Sequence, residues 1–456
     1  MPRTLAAVAD KLAVGLIGED ASFGPISIDS RNLYPGALFV AIKGTHFDGN
    51  DYVADAHSRG AVGALVSRRA GVPIPQLAVD DTRIAFGQMA RAWRESAPVP
   101  VVAVTGSNGK TTVKELIASI LRCRRNVCVT QGNFNNDIGV PLTLMALDES
   151  HEALVVELGA NHSGEIDYLS SLVQPTVGVI TNAYAAHLQG FGSLAGVAAA
   201  KGELLDHLAR AGTAVINADD EFYGDWRARS HAETVLTFAL DARADCTVVG
   251  DCVTGISGCR FTMQLPEGER VEIDLPLAGQ HNVLNALAAA AAAYAVGTVP
   301  EDIVSGLNNT LAAQGRLNVL PGRGGAAIID DSYNANPASV RAALDYLSQA
   351  EGTRVLVLGD MAELGDGAKK LHREIGQYAT ARCDVLLTIG SLSRLAADAY
   401  GSGAQSFADI ASLGKALETL LAEEVTILVK GSRVMGLEQL VSLLRSDGAS
   451  GGEATC

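Results

Sequence analysis

Short apolar runs recur along the middle of the chain and alternate with longer stretches of helical periodicity. The runs are Val101–Thr105, Ala153–Leu158, Val177–Thr181 and Thr213–Asn217. Continuous apolar runs of this length are typical of strands that helices cover on both faces. The alternation predicts a mainly parallel sheet with helices on both faces, which the strand-rich region 233–277 extends.

Two joints divide the chain. The segment Ser96–Pro100 carries two prolines, which stiffen the backbone and block helix formation. A second joint lies near Ala312–Arg316. We therefore predict an α/β protein of three domains: a small α/β domain over residues 1–97, a central domain with a P-loop-type, mainly parallel sheet over 98–314, and a Rossmann-like, doubly wound domain over 315–456.

Apolar runs restart beyond the second joint. They are Ala326–Asp330, Val355–Gly359, Val385–Gly390 and Val425–Lys430. In open parallel sheets, ligands bind outside the carboxyl ends of the strands. The polar ends of these strands are therefore the places where we expect ligands, and Lys430–Arg433 is a cationic one.

A glycine-rich turn follows the strand Val101–Thr105, and a helical pattern begins at Lys110. Glycines let backbone N–H groups surround an anion, and the helix N-terminus adds its positive dipole end. In such a loop the lysine reaches the outer phosphates and the next hydroxyl binds Mg²⁺. A strict P-loop has glycine where this chain has Val104. We predict a nucleoside triphosphate site formed by Gly106, Ser107, Asn108, Gly109, Lys110, Thr111 and Thr112.

Three more side chains are candidates for chemistry. Glu157 ends an apolar run, and a buried carboxylate is costly unless it is paired or bound to a metal. A neighbouring strand could place it beside Thr111 to share one Mg²⁺; the alternative is a pair with Arg or Lys. His187 follows another strand end on the same predicted edge, where a structural role and a functional role are both open. Lys201 lies in a helical pattern and by itself indicates only a surface lysine.

Composition excludes several classes of protein. The chain has 456 residues and a net charge of −16, so non-specific nucleic-acid binding is not expected. Its seven cysteines show neither C-x-x-C nor zinc spacing, which indicates reduced thiols in the cytoplasm. We see no secretory signal, and the Ala-rich run Leu284–Val296 is too short to span a bilayer. We expect the Gly/Ser/Ala-rich tail, Ser446–Cys456, to be disordered.

The motifs occur together in the order and rough spacing of one family. They are Thr105–Thr112, Gly132–Asn136, Glu157, His187, Lys201-x-Glu203 and Gly279–Asn282. On these residues nearly the whole chain resembles the Mur ligases, the ATP-dependent amide ligases of peptidoglycan precursor synthesis. That family usually has the shorter loop without the first glycine. One mild departure is Val156-Glu157-Leu158, where many members have Met-Glu-Met.

Other runs resemble one branch of that family, the members that add D-alanyl-D-alanine. These runs are Ile28–Gly36, Asn182–Leu188, Asp330–Pro337 and Leu358–Gly365. Members that add the third amino acid typically carry Asp-Tyr-Ala-His in place of Asp-Ser-Tyr-Asn. They also usually carry an Asp-Asn-Pro-Arg motif, which this sequence lacks.

The resemblance implies a reaction and its cofactors. ATP phosphorylates the terminal carboxylate of a UDP-N-acetylmuramoyl-tripeptide, and the amine of D-Ala-D-Ala attacks the acyl phosphate, releasing ADP and phosphate. Lys110 and two Mg²⁺ ions screen the meeting anions. Thr111 and Glu157 hold the first ion, and His187 holds the second. Lys201 matches the position that family members carbamylate with CO₂, which gives a carboxylate that supports the second ion.

The resemblance also implies binding residues outside the P-loop. Asn282 and Asn285 are placed at the adenine side, Arg316 at the γ-phosphate and Asp331 at the ribose. Closure of the third domain would then complete the site. The UDP contacts are expected from Ser30, Arg31, Lys43, Asp48 and Gly49, for which a loop-stabilising role is equally open. We assign the dipeptide carboxylate to the cationic strand end, at Lys430, Ser432 and Arg433.

Rival functions remain at this point. One is another amide ligase of the superfamily, either the third-residue-adding Mur ligase or a folylpolyglutamate synthase. Another is a P-loop NTPase switch, which the sequence disfavours because no apolar run ending in Asp lies near the loop. A catalytically inactive binding protein is disfavoured by the presence of Lys110, Glu157 and His187. We expect a cytoplasmic monomer with no nucleic-acid partner.

Overall fold

The structure is a computed structural model that describes residues 3–255 and 258–446. The tail expected to be disordered lies outside the described residues from position 447 onward. Within the described part, three sheets take their strands from separate stretches of the sequence. This confirms the predicted α/β class with mainly parallel sheets, while the exact domain boundaries stay predictions.

The first domain is a small sheet with helices. Its elements are the strands β1 (Leu16–Ile17), β2 (Ile26–Ser27), β3 (Leu38–Val40), β4 (Gly63–Val66) and β5 (Gln76–Ala78), and the helices α1 (Leu5–Leu12), α2 (Val53–Ser58) and α3 (Thr82–Glu95). The strand order is β1-β5-β4-β3-β2, and within the described part of this sheet only the β1–β5 pair is antiparallel. Asp81 starts α3 by accepting hydrogen bonds from the N–H groups of Arg83 and Ile84. Helix α3 then packs on the central domain, which joins the two units through one apolar core.

The central domain is built on the longest sheet. Its strands are β6 (Val101–Thr105), β7 (Val127–Val129), β8 (Ala153–Glu157), β9 (Val177–Ile180), β10 (Thr213–Asn217), β11 (Thr234–Ala239), β12 (Cys246–Gly255), β13 (Gly258–Gln264) and β14 (Arg270–Leu275). Its helices are α4 (Lys110–Leu121), α5 (Gly139–Ala146), α6 (Glu165–Val173), α7 (Leu188–Phe191), α8 (Leu194–Asp206), α9 (Tyr223–Arg229), α10 (Gln280–Ala295) and α11 (Pro300–Asn308).

The order of these strands is β14-β13-β12-β11-β10-β9-β6-β8-β7, parallel from β7 to β12 and antiparallel beyond. Strand β6 lies between β8 and β9, with Val104 opposite both Glu157 and Val179. Parallel register brings the carboxyl ends of these three strands to one edge. The Ala-rich helix α10 is buried along its length and packs on α4, because alanine side chains let the two helices approach closely.

The third domain has the expected doubly wound form. Its strands are β15 (Asn318–Pro321), β16 (Ala327–Asp331), β17 (Thr353–Gly359), β18 (Val385–Ile389), β19 (Ala404–Phe407) and β20 (Val425–Lys430), and its helices are α12 (Pro337–Leu347), α13 (Ala368–Ala379), α14 (Arg394–Tyr400), α15 (Ile410–Glu418) and α16 (Glu438–Leu444). The order is β15-β16-β20-β17-β18-β19, and β15 pairs antiparallel at the edge. The ends of β16 and β20, at Asp331 and Lys430, are register partners.

Short 3₁₀ helices complete the described chain. They are Ser30–Asn32, Gly49–Tyr52, Pro266–Gly268, Arg323–Gly325, Gly365–Gly367 and Arg433–Met435. No helix in the described ranges is both long and apolar enough to cross a membrane.

Candidate active site

A cavity of about 1350 Å³ lies where the three domains meet, and most of the predicted nucleotide residues line it. The first domain contributes the N-terminal end of α3, including Arg83. The central domain contributes the P-loop, Glu157 and His187, and the third domain contributes Asp331 and the strand end at Lys430. The carboxyl ends of parallel strands from two sheets therefore face one shared space, as the topology predicts.

The residues that directly follow β9 hold the P-loop in place. The backbone N–H groups of Ser107 and Asn108 donate to Asn182, at 3.0 and 2.9 Å, and the Thr181 hydroxyl donates to the Asn108 carbonyl at 2.7 Å. Gly106 has φ +146°, and a β-carbon there would overlap Thr181. The loop therefore has a fixed backbone before any phosphate arrives.

Lys110 opens helix α4 and turns back over the loop. Its Nζ donates to the carbonyls of Gly106, at 2.8 Å, and Ser107, at 3.2 Å. Burial lowers the pKa of Lys110, opposed by the nearby carboxylate of Glu157. The ammonium group thus lies inside the loop, and its contact with the outer phosphates stays a prediction.

Glu157 is buried and bound by neutral side chains. The hydroxyl of Thr111 donates to its Oε2 at 2.7 Å, and Nδ2 of Asn135 donates to its Oε1 at 2.7 Å. Arg316 donates from Nη2 to the same Thr111 hydroxyl at 2.8 Å. Glu157 forms no ion pair among the described residues, which favours the metal interpretation over a structural pair with Arg or Lys.

Lys201 differs from what its helical pattern alone indicated. Its side chain is about 2% exposed and lies 5.3 Å from the centre of the Phe191 ring. Burial, with the positive charge of Lys110 as a second cause, lowers the pKa of Lys201 to about 7. The surface interpretation is wrong, because other elements cover this face of α8, and Lys201 is not among the residues that line the cavity.

His187 meets the third domain directly. It has φ +53° at the start of α7, and its Nδ1 contacts the carboxylate of Glu363, which also has positive φ. Burial lowers the pKa of His187, while the charge of Glu363 opposes that shift. The N–H of Gln189 donates to the Glu363 carbonyl at 3.4 Å, so the contact spans backbone as well as side chain.

The predicted nucleotide residues Asn282 and Asn285 lie in helix α10 close to the P-loop, and Arg316 bonds to Thr111. Asn285 donates to Asn282 at 3.1 Å, and Asn282 donates to the Ala278 carbonyl at 2.8 Å. Gly109 has φ +80°, and a β-carbon there would overlap the Asn285 amide. Arg316 stacks 4.4 Å from the centre of the Tyr333 ring.

At the strand end predicted to bind the dipeptide carboxylate, Lys430 and Ser432 already form contacts within the protein. Nζ of Lys430 pairs with Oδ2 of Asp331 at 2.5 Å and donates to the Asn334 carbonyl at 2.9 Å. The Ser432 hydroxyl accepts from the Ala362 N–H at 2.7 Å. Arg433, with its side chain 61% exposed, remains more open, with Glu438 at 3.4 Å.

The predicted UDP residues form a separate group in the first domain and do not line the cavity. Asp48 accepts from the Asn50 backbone at 3.0 Å, and Arg31 pairs with Asp29 at 2.8 Å. A β-carbon on Gly49 would overlap the backbone of residues 41 and 42. The remaining two residues of this group are Ser30, which is buried, and Lys43, whose backbone forms an isolated antiparallel β-bridge with Asp48. These contacts fit the loop-stabilising role, and UDP binding stays a prediction.

Sequence reasoning gave no role to several residues that the structure brings to the site. They are Asn135, Asn182, His281, Asn336 and Glu363. Each lies in a run that carries the family resemblance, so motif membership was the available signal. His281 is an example: burial lowers its pKa to about 4, with Lys430 as a second cause, so it lines the cavity as a neutral ring.

Comparison with known proteins gives the same order of domains. Residues 23–95 match the model for the Mur ligase family, catalytic domain; 104–293 match the Mur ligase middle domain; and 315–433 match the Mur ligase, glutamate ligase domain. The chain is 44% identical to the UDP-N-acetylmuramoyl-tripeptide–D-alanyl-D-alanine ligase of Escherichia coli, over 98% of this chain and 99% of that protein.

Two solved structures extend the comparison. A crystal structure of MurF from Acinetobacter baumannii matches with a TM-score of 0.90 and 36% identity, over 97% of this chain and 98% of that one. A MurF ligase from Thermotoga maritima in complex with ADP matches with a TM-score of 0.82 over 92% and 96% of the two chains. At 24% identity, the second match shows the shared fold.

Proposed function

The chain belongs to the Mur ligase family and is an ATP-dependent ligase of peptidoglycan precursor synthesis; on that premise we propose that it joins D-alanyl-D-alanine to UDP-N-acetylmuramoyl-tripeptide through an acyl phosphate. The tripeptide carboxylate attacks the γ-phosphorus of ATP, and ADP leaves. The dipeptide amine then attacks the acyl carbon, phosphate leaves, and an amide forms.

One observation supports this proposal most strongly. The P-loop lysine, Lys110, and the buried carboxylate of Glu157 face the same cavity as Asp331 and Arg433 of the third domain. A carboxylate is a poor electrophile until it carries a phosphate, and phosphoryl transfer between anions needs fixed cations. Lys110 supplies such a charge from inside the loop, and Arg316 lies beside Thr111.

The Thr111–Glu157 pair fits a Mg²⁺ ion. Both offer oxygen atoms, the donors that this ion prefers, and Glu157 has no cationic partner among the described residues. We expect Thr111 and Glu157 to hold the first ion and His187 to contribute to the second. Bound Mg²⁺ would neutralise phosphate charge.

Lys201 is proposed to carry the carbamate. Its neutral amine attacks CO₂, a C–N bond forms, and a proton leaves, so that an anionic carboxylate replaces a cation. A pKa of about 7 leaves much of the amine unprotonated near neutral pH, which this reaction requires. The carbamate would supply the oxygen donors that His187 and an unmodified lysine lack for a second Mg²⁺.

Closure of the third domain is part of the proposal. An acyl phosphate hydrolyses in water, so the site must exclude solvent during the reaction. The contact of His187 with Glu363 supports a closed arrangement that joins the central and third domains at the cavity. We also propose that the protein is a cytoplasmic monomer. Size-exclusion chromatography with light scattering tests the monomeric state.

Acceptor-dependent phosphate release tests the function itself. Purified protein receives ATP, Mg²⁺ and UDP-N-acetylmuramoyl-tripeptide, with D-Ala-D-Ala present, absent or replaced by a single amino acid. A parallel reaction with UDP-N-acetylmuramoyl-dipeptide and a single amino acid tests the rival third-residue ligase, because its donor must lack the third residue.

A further inference from the structure

A reciprocal amide contact joins the P-loop to the third domain. Nδ2 of Asn336 donates to Oδ1 of Asn108 at 2.6 Å, and Nδ2 of Asn108 donates to Oδ1 of Asn336 at 3.3 Å. We propose that Asn336 is a positioning residue: its contact with Asn108 couples closure of the third domain to the P-loop geometry that phosphoryl transfer needs. The proposal rests on the function proposed above and adds how closure of the third domain acts on the P-loop.

The backbone of Asn108 is anchored within the central domain, and its side chain contacts the third domain. Its N–H donates to Asn182, and its carbonyl accepts from Thr181 and Asn182, all within the central domain. These bonds anchor the Asn108 backbone to the residues that follow β9. The side chain is the part of Asn108 that reaches the third domain, so its hydrogen bonds with Asn336 need the two domains to be close together.

The Asn336 end is fixed by the start of helix α12. Its Oδ1 accepts from the Ser339 N–H at 2.9 Å, and the Ser339 hydroxyl accepts from the Asn336 N–H at 3.0 Å. This capping box determines which way the amide faces, because Oδ1 must point to Ser339. Nδ2 is then directed to Asn108, and Asn336 itself is only 7% exposed.

The pair is placed where it can act on chemistry. Asn108 lies two positions before Lys110, and the Lys110 ammonium bonds to the carbonyl of Ser107. A shift of the loop at position 108 therefore moves groups that meet the phosphates. When the domains separate, both amides lose their partner and return to water, so the contact forms only on closure.

The test uses variants that keep the helix cap. Asn336→Ser and Asn336→Asp both retain an N-cap oxygen. Serine removes both bonds to Asn108, and aspartate removes the donor. Asn336→Ala loses the cap as well and measures its separate contribution. Asn108→Ala and the double variant Asn108→Ala/Asn336→Ser complete a double-mutant cycle.

Two readouts separate positioning from a purely structural role. We expect Asn336→Ser to lower kcat about tenfold, the order expected for two hydrogen bonds, while the KM for ATP changes less than about twofold. We expect the double variant to be no slower than Asn108→Ala. In small-angle scattering with a non-hydrolysable ATP analogue, Mg²⁺ and the UDP-tripeptide, the serine variant should stay more open than the unmodified protein.

Unchanged kcat and closure in Asn336→Ser and Asn336→Asp would overturn the proposal, as would effects of the two single variants that multiply in the cycle. If one variant does not fold, the other still decides. Scattering needs no turnover, so it tests the contact even if the unmodified protein shows no dependence on D-Ala-D-Ala, a result that would defeat only the proposed function.

Discussion

The hydroxyl of Thr111 donates a 2.7 Å hydrogen bond to Glu157, although the two residues belong to different elements of the central domain. The parallel register of β6 and β8 produces this contact, because it sets Val104 opposite Glu157 and so brings the P-loop helix to the end of β8. An oxygen pair of this kind beside the lysine of a phosphate loop is the core of the proposed Mg²⁺ and ATP site.

Glu157→Gln should abolish most activity without unfolding the protein. The amide keeps the shape of the side chain and can still accept from Thr111, but it lacks the charge that binds Mg²⁺. We expect kcat/KM to fall by at least about 100-fold, a loss of about 3 kcal/mol in transition-state stabilisation. Glu152→Gln, which removes an exposed carboxylate just before the same strand, is the matched control. Similar losses in both variants would contradict a metal role for Glu157.

The variant Lys201→Ala should be inactive, and an added short carboxylate should restore part of its activity. The variant cannot form a carbamate, but a short carboxylate such as formate can enter the vacated space and supply oxygen donors. We expect a loss of at least about 100-fold and partial recovery with added formate. Lys201→Arg keeps a cation that CO₂ does not modify, and it should also be inactive. Full activity in either variant would exclude the carbamate.

Arg433→Met should weaken dipeptide binding selectively. Lys430 is already paired with Asp331, so Arg433 is the more accessible cation for the terminal carboxylate of D-Ala-D-Ala. We expect the KM for the dipeptide to rise about tenfold, with the KM for ATP unchanged, since one charge-assisted contact is removed. A rise in the KM for ATP of the same size would place Arg433 at the nucleotide instead.

His372 should make the stability of the third domain depend on pH. It is fully buried, its Nε2 accepts from the Met361 N–H at 3.0 Å, and its Nδ1 lies 2.7 Å from the Ala368 carbonyl. The contact with Met361 requires the neutral ring, because a protonated Nε2 cannot accept a hydrogen bond. Burial lowers its pKa below the ordinary 6.5, so the unfolded state binds the proton first as pH falls.

The stabilisation from neutral His372 is therefore complete above pH 6.5 and is lost as pH falls, by up to ~1.4 kcal/mol per pH unit. Urea denaturation of the full chain and of His372→Gln, from pH 7.5 to 5, measures it. The difference in free energy of unfolding between the two proteins should shrink toward pH 5. A constant difference across that range would show that His372 does not titrate on unfolding.

The P-loop could be predicted from sequence, because the elements that form it are contiguous in the chain. The strand Val101–Thr105, the glycine turn and helix α4 follow one another directly, so their pattern contains the P-loop. The burial of Lys201 could not be predicted from its own helix, because an Ala-rich pattern does not tell which face other elements cover. The contact of His187 with Glu363 depends on how two domains pack against each other, and no local sequence pattern predicts that packing.

Phosphate release measured as a function of acceptor concentration is the decisive experiment for the proposed ligase reaction. With ATP, Mg²⁺ and UDP-N-acetylmuramoyl-tripeptide at saturation, we predict that release rises with D-Ala-D-Ala, saturates, and matches the amount of UDP-N-acetylmuramoyl-pentapeptide formed mole for mole. Glu157→Gln should show neither signal. Release that proceeds equally without D-Ala-D-Ala, or that responds instead to a single amino acid, would contradict the proposed function.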